Sequence, residues 1–127
     1  MVPGPRRPVK SYVSVRFYKL RPGTDPAEFE RAFREVRPAI GLQRVFLLKG
    51  YRGDDVNLAT SEHDYASVHI YATLEDAAKT VRLAEALQPD DDLPEPLAKL
   101  VQFWRAAHSD DVSETSVNGF TLVSEAP

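Results

Sequence analysis

Two stretches of this chain carry side chains suited to handling a proton or an anion. In "YVSVRFYKL", Ser14, Arg16 and Tyr18 alternate with Val13, Val15 and Phe17, so a strand here puts the polar trio on one face. The Arg16 guanidinium keeps its charge and can hold a carboxylate, phenolate or enolate through paired hydrogen bonds. A phenol beside it, that of Tyr18, can donate to a developing oxyanion or act as an acid. The plain alternative is an arginine at a sheet edge that reaches water or pairs with a nearby glutamate. In "YASVHIYAT", Ser67, His69 and Tyr71 share one face of a second strand. Imidazole titrates near neutrality, which makes His69 a natural general base. One residue of register decides whether that face lines a pocket or an interface.

Other candidates are weaker. His63 and Asp64 adjoin in "SEHDY", and neighbours in an extended segment point apart, so they form no dyad by themselves. His63 remains an alternative proton acceptor. His108 closes a helix, where an imidazolium complements the dipole. Trp104 lies on an apolar helical stripe, and an indole there can pack in the core and also wall a flat aromatic ligand. Asp90, Asp91 and Asp92 read as a solvated acidic loop, because a hard-metal loop needs alternating ligands and a glycine at its sharp turn. No histidine pair at i, i+4 and no glycine-rich phosphate loop after a strand is present. We therefore expect no metal and no bound cofactor.

The elements that must position these residues follow from periodicity and caps. A strand is expected from Ser11 to Leu20, then a "RPGTD" turn. Asp25 caps a helix with Pro26 in its first position and Glu28 completing a capping box. Phe29, Ala32, Phe33 and Val36 give it an apolar face, and Pro38 and Gly41 stop it. Strand two is expected from Leu42 to Tyr51 and strand three from Tyr65 to Thr73, with a polar loop between them. Thr73 caps "LEDAAKTVRLAEAL", the proline-rich "QPDDDLPEP" interrupts, and Leu97, Leu100, Val101 and Trp104 mark a third helix ending near His108. A last strand runs from about Glu114 to Ser124. The order β-α-β-β-α-α-β is close to the split βαβ plan, an α+β fold with helices on one face of an antiparallel four-stranded sheet.

Bulk properties narrow the classes. A chain of 127 residues with 43% apolar and 28% charged residues suits one globular domain. We read residues 1–10, rich in proline and glycine, as a flexible arm and 11–127 as the domain. A formal charge of −3 argues against a nucleic-acid binder. The absence of cysteine excludes disulfides and thiol chemistry. No apolar run suits a membrane helix and the N-terminus lacks the pattern of a secretory signal, so a cytoplasmic protein with no membrane partner is expected.

"VRFYKLRPGTDPAEFERAF", "VHIYATLEDA" and "FWRAA" together resemble the dimeric α/β-barrel superfamily of ferredoxin-like proteins. That superfamily includes antibiotic-biosynthesis monooxygenases, polyketide cyclases, lactone isomerases and haem-degrading enzymes. The resemblance implies a homodimer formed by facing sheets, with a small-molecule pocket between each sheet and its own helices. By analogy with a plant polyketide cyclase of the superfamily, Ser14, Arg16 and Tyr18 match first-strand pocket positions, Phe33 a first-helix aromatic, and Trp104 a last-helix tryptophan. That cyclase's catalytic tyrosine and histidine correspond to positions near Leu83 and Pro89, so its catalytic pair is absent here. The histidine, tryptophan and asparagine set of the haem degraders is not recognisable.

The resulting expectation is a cofactor-independent cyclase or isomerase acting on an aromatic or polyketide-like molecule. Arg16, Tyr18, His69 and His63 are its candidate catalytic residues. Ser14, Phe33, Tyr71 and Trp104 are candidate substrate contacts. The alternatives are a cofactor-free monooxygenase in the same pocket and a non-enzymatic ligand-binding or stress-associated barrel.

Overall fold

Alternation on the central strands and helical spacing between them produce the order β1 (Tyr12–Leu20), α1 (Pro26–Arg34), β2 (Leu42–Lys49), β3 (Tyr65–Tyr71), α2 (Leu74–Ala86), α3 (Leu97–Arg105) and β4 (Val112–Thr121). The computed structural model describes residues 11–38, 41–86, 92, 93, 95, 97–105 and 112–126. The N-terminal arm, Asp90, Asp91 and His108 lie outside the described residues. Among the described residues, no helix is long and apolar enough to cross a membrane.

The strands form one antiparallel sheet in the order β2-β3-β1-β4. The strands that carry the polar groups, β1 and β3, are thus the two central ones. Their register pairs Tyr12 with Tyr71, Ser14 with His69, Arg16 with Ser67 and Tyr18 with Tyr65. Paired residues share a face, so the open question of strand three is answered: Ser67, His69 and Tyr71 lie on the same face as Ser14, Arg16 and Tyr18. That face meets the helices, since Tyr18, Tyr65 and Tyr71 join Phe29 of α1, Ala77 of α2 and Leu100 and Phe103 of α3 in one core.

Local chemistry explains the ends of the elements. The turn after β1 places Gly23 at φ 89°, a conformation open to glycine at little steric cost. Asp25 caps α1 by accepting from Ala27 N–H at 2.9 Å. Glu28 does not complete the expected box but pairs with Arg31 instead. The helix closes at Arg34, with Glu35 as its C-cap. Thr73 Oγ1 accepts from Asp76 N–H at 2.9 Å, ending β3 and starting α2. β4 begins and ends earlier than expected, and Leu122 N–H still donates to Ser11 carbonyl at 3.0 Å.

A register shift in β2 between Leu42 and Arg44 is invisible to a simple period-two reading. It lets Leu42, Val45 and Leu47 all pack against the helix-side core. Arg44, Phe46 and Leu48 are left on the outer face, opposite Ile70, Val68 and Ala66.

Candidate functional site

The helix side of the β1–β3 ladder has two unlike ends. At the Tyr18–Tyr65 end the space is filled by aromatic rings. Tyr18 meets Phe29 and Phe103 at centroid distances of 5.5 and 6.3 Å, and Phe29 meets Tyr65 at 4.9 Å. Phe33 packs on Phe103 at 5.3 Å. At the Tyr12–Tyr71 end the helices stand off, leaving a cavity of about 520 Å³. Its floor is Tyr12, Ser14, Arg16, His69 and Tyr71 of the central strands with Val117 of β4. Its roof is Val81 and Glu85 of α2 with Val101, Trp104 and Arg105 of α3. This volume lies in the range of small-ligand sites, which combine apolar walls with a few placed polar groups.

The placement divides the candidate residues. Ser14, Arg16, His69, Tyr71 and Trp104 line the cavity. Tyr18 and Phe33 do not: α1 packs over their end of the ladder, and Tyr18 is fully buried in the aromatic core. His63 stacks on Phe17 at 5.0 Å, and Phe17 points away from the cavity by strand alternation. Its neighbour Asp64 has a structural task, accepting from Leu20 N–H at 2.7 Å and pairing with Arg52 at 2.9 Å.

Tyr18 nevertheless reaches the site through a hydrogen-bonded chain. Its hydroxyl lies 2.7 Å from Ser67 Oγ, and Ser67 Oγ lies 2.9 Å from His69 Nε2. Ser67 and His69 stand at i, i+2 on β3, and Tyr18, which pairs with Tyr65, is the diagonal neighbour of Ser67 across the ladder, so the sheet itself sets their spacing. His69 is 3% exposed and its ring lies 6.0 Å from that of Trp104.

Electrostatics follow from burial and from Arg16. Desolvation, with the Arg16 charge adding to it, pushes the His69 pKa down to about 4, so the ring is neutral at neutral pH. Burial raises the Tyr71 pKa to about 12, against the opposing pull of Arg16, so its phenol keeps its proton. Burial likewise raises Tyr18, with Ser67 and Arg16 acting in the other direction. Burial lowers the Arg16 pKa, and Tyr18 and Tyr71 partly restore it. A guanidinium so placed remains a cation in the floor of the cavity. Among the described residues, no group of three or more His, Asp or Glu side chains is placed to hold a metal ion.

Tyr12, Val81, Glu85, Val101, Arg105 and Val117 also line the cavity and were not singled out in the sequence. Glu85 gave no readable signal: it follows Val81 at i+4 on α2, and both are exposed residues that also border the cavity, where a carboxylate is ordinary. Tyr12 belongs to the same alternation as Ser14 and Arg16.

No family profile and no curated protein match the chain. Solved structures do. SnoaB, a cofactor-independent oxygenase from Streptomyces nogalater, aligns at TM-score 0.52 and 21% identity over 94% of this chain and 99% of that one. A NIPSNAP-like domain protein from Burkholderia xenovorans aligns at 0.53 and 20% over 92% and 89%. A dimeric ferredoxin-like protein from Thermobifida fusca aligns at 0.51 and 16% over 90% and 92%. The chain thus has a ferredoxin-like fold, with helices on one face of the sheet. Within that fold it is defined by a ligand-sized cavity holding a half-buried arginine and a buried, neutral histidine.

Proposed function

We propose that this protein is a small-molecule tailoring enzyme, a cyclase or isomerase that works without a bound cofactor on an aromatic or polyketide-like molecule. The observation that carries the reading is the convergence of Arg16, His69, Tyr71 and Trp104 on one cavity between sheet and helices. Arg16 stabilises the charge that develops on an enolate or phenolate oxygen. Tyr71 keeps its proton at neutral pH and acts as the acid. Glu85, the one carboxylate among the described lining residues, accepts the carbon-bound proton. The electron pair of that bond moves to the oxygen held by Arg16 and returns to carbon on ring closure or reprotonation, so no oxidant is consumed. Trp104 walls the substrate ring.

Exchange of α-protons for deuterium tests this directly, with 2-tetralone as an enolisable bicyclic probe. The protein should accelerate exchange in D2O. Glu85→Gln should slow it about 10²-fold, in the range of a lost general base, and Arg16→Gln should slow it at least about tenfold. Exchange at the same rate with the protein and with both variants would defeat the reading.

A second reading has one observation in its favour, the shared fold with a cofactor-independent oxygenase. Here the deprotonated substrate itself reduces dioxygen. A ring CH2 becomes C=O, one oxygen atom enters the product, and the other leaves as water with the two displaced hydrogens. An oxygen electrode separates the two, because a cyclase or isomerase runs equally well under nitrogen. The non-enzymatic reading anticipates no cavity between sheet and helices, and the cavity of about 520 Å³ speaks against that form of it.

The outer sheet face supports a homodimer. Val13, Val15, Phe17, Phe46, Val68, Ile70 and Phe120 share it by register, and the helix-side core lies on the other face.

A further inference from the structure

The proton positions in the Tyr18–Ser67–His69 chain can be worked out from burial. Tyr18 is 0% exposed, and among the described residues its hydroxyl has one hydrogen-bond partner, Ser67 Oγ. A buried phenol O–H needs an acceptor. Tyr18 therefore donates to Ser67, and the Ser67 proton is left for His69 Nε2. Run in the other direction, the chain would strand the Tyr18 O–H with no acceptor among the described residues. An Nε2 that accepts is bare, so the one proton of the neutral ring sits on Nδ1.

That Nδ1 is shielded from water and has no hydrogen-bond partner among the described residues. An orphaned buried N–H has given up its hydrogen bonds to water without replacement, and in a native protein such a group calls for an explanation such as a catalytic role, an ion or a bound water. Arg16 is its diagonal neighbour: Arg16 pairs with Ser67, and His69 pairs with Ser14, on the same face of adjacent central strands. Diagonal positions at this spacing lie within reach of long side chains. Both residues line the cavity.

We propose that the cavity takes its ligand as an anion, with a carboxylate, phenolate or enolate oxygen held between the Arg16 guanidinium and the Nδ1–H of His69. His69 is thus a fixed hydrogen-bond donor, and Tyr18 and Ser67 are positioning residues that hold its tautomer. This names the ligand class for the site described above and rests on that cavity being the ligand site, though not on any turnover there.

Two measurements test it. Long-range 1H–15N spectra of the wild-type protein at pH 7 should show His69 as the Nδ1–H tautomer, and the Nε2–H tautomer would overturn the proposal. Titration calorimetry then compares 2-naphthoate with its neutral analogue 2-naphthamide. The carboxylate should bind at least about tenfold more tightly, as a charge-assisted pair requires. Arg16→Gln should abolish that preference while changing amide affinity by less than about twofold. His69→Leu should weaken 2-naphthoate about tenfold, whereas His69→Asn, which keeps a donor near the Nδ1 position, should lose less than about threefold. Equal binding of acid and amide overturns the anion site and leaves the cavity as a ligand site. Binding of neither overturns both.

Discussion

Ser67 is the smallest member of the buried polar chain, and both its neighbours depend on it. Ser67→Ala leaves the Tyr18 hydroxyl and His69 Nε2 without partners in a dry interior. It should cost about 1–3 kcal/mol for each stranded group. Tyr18→Phe removes only the terminal donor, and Ser67 keeps its bond to His69, so the loss should be about 1 kcal/mol. Urea unfolding at pH 7 ranks the two, and a larger loss for Tyr18→Phe would reverse the direction assigned to the chain. The histidine also makes stability depend on pH. Its folded pKa of about 4 lies below the ordinary 6.5, so the unfolded chain binds its proton more readily. The contribution is fully present above about pH 6.5 and is lost as pH falls through about 4, a span on the order of 3 kcal/mol. Comparing unfolding midpoints at several pH values, His69→Asn should show a flatter profile than wild type across that window.

At the scale of elements, the strands carry the polar groups and the helices decide which of them see open space. The α1 aromatics fill one end of the ladder, and the standing-off of α2 and α3 leaves the other open. On the β4 side the floor depends on Gly119, which lies opposite Ser14. A Cβ at this position would come 2.1 Å from the Tyr12 hydroxyl and 2.8 Å from its Cζ. The glycine therefore gives Tyr12 room to lie across β4 as part of the cavity floor. Gly119→Ala should displace the ring, lowering stability by about 1 kcal/mol and altering ligand affinity more than the fold. In a Tyr12→Ala background, which carries its own cost from the lost ring packing, Gly119→Ala should lower stability little further, since the clash is with that ring alone among the nearest atoms. A double-mutant cycle in thermal unfolding measures the coupling.

For the whole molecule, the one-sided arrangement of helices leaves an apolar sheet face that none of the described helices covers. Phe120 is 56% and Leu48 51% exposed there, on the two edge strands, with Val13, Val15, Val68 and Ile70 between them. A continuous apolar surface of this kind marks an association site. Sedimentation should find a dimer. Val15→Lys together with Phe120→Glu should shift it to monomer without unfolding it, as circular dichroism would show. Both positions lie on the face away from the cavity, so binding of 2-naphthoate should persist in the monomer.

The sequence by itself determined the order of elements, because period-two alternation, helical spacing and caps such as Asp25 and Thr73 are local properties of the backbone. It also determined that Ser14, Arg16 and Tyr18 share a face, and separately that Ser67, His69 and Tyr71 do. It could not bring those two faces together, because register is a contact between strands 49 residues apart at Tyr18 and Ser67. Nor could alternation tell Tyr18 from Tyr12, which occupy equivalent positions on one strand. Only the packing of α1 over one end buries the first in the core and leaves the second in the cavity. The same packing changed the meaning of His69. Its residue type proposes a base, but burial beside Arg16 and a hydrogen bond from Ser67 make it a neutral ring with its proton on Nδ1. Protonation state is set by everything within a few ångströms, and here Ser67 comes from the same strand while Arg16 and Tyr18, which bias the ring and the serine, come from the neighbouring one.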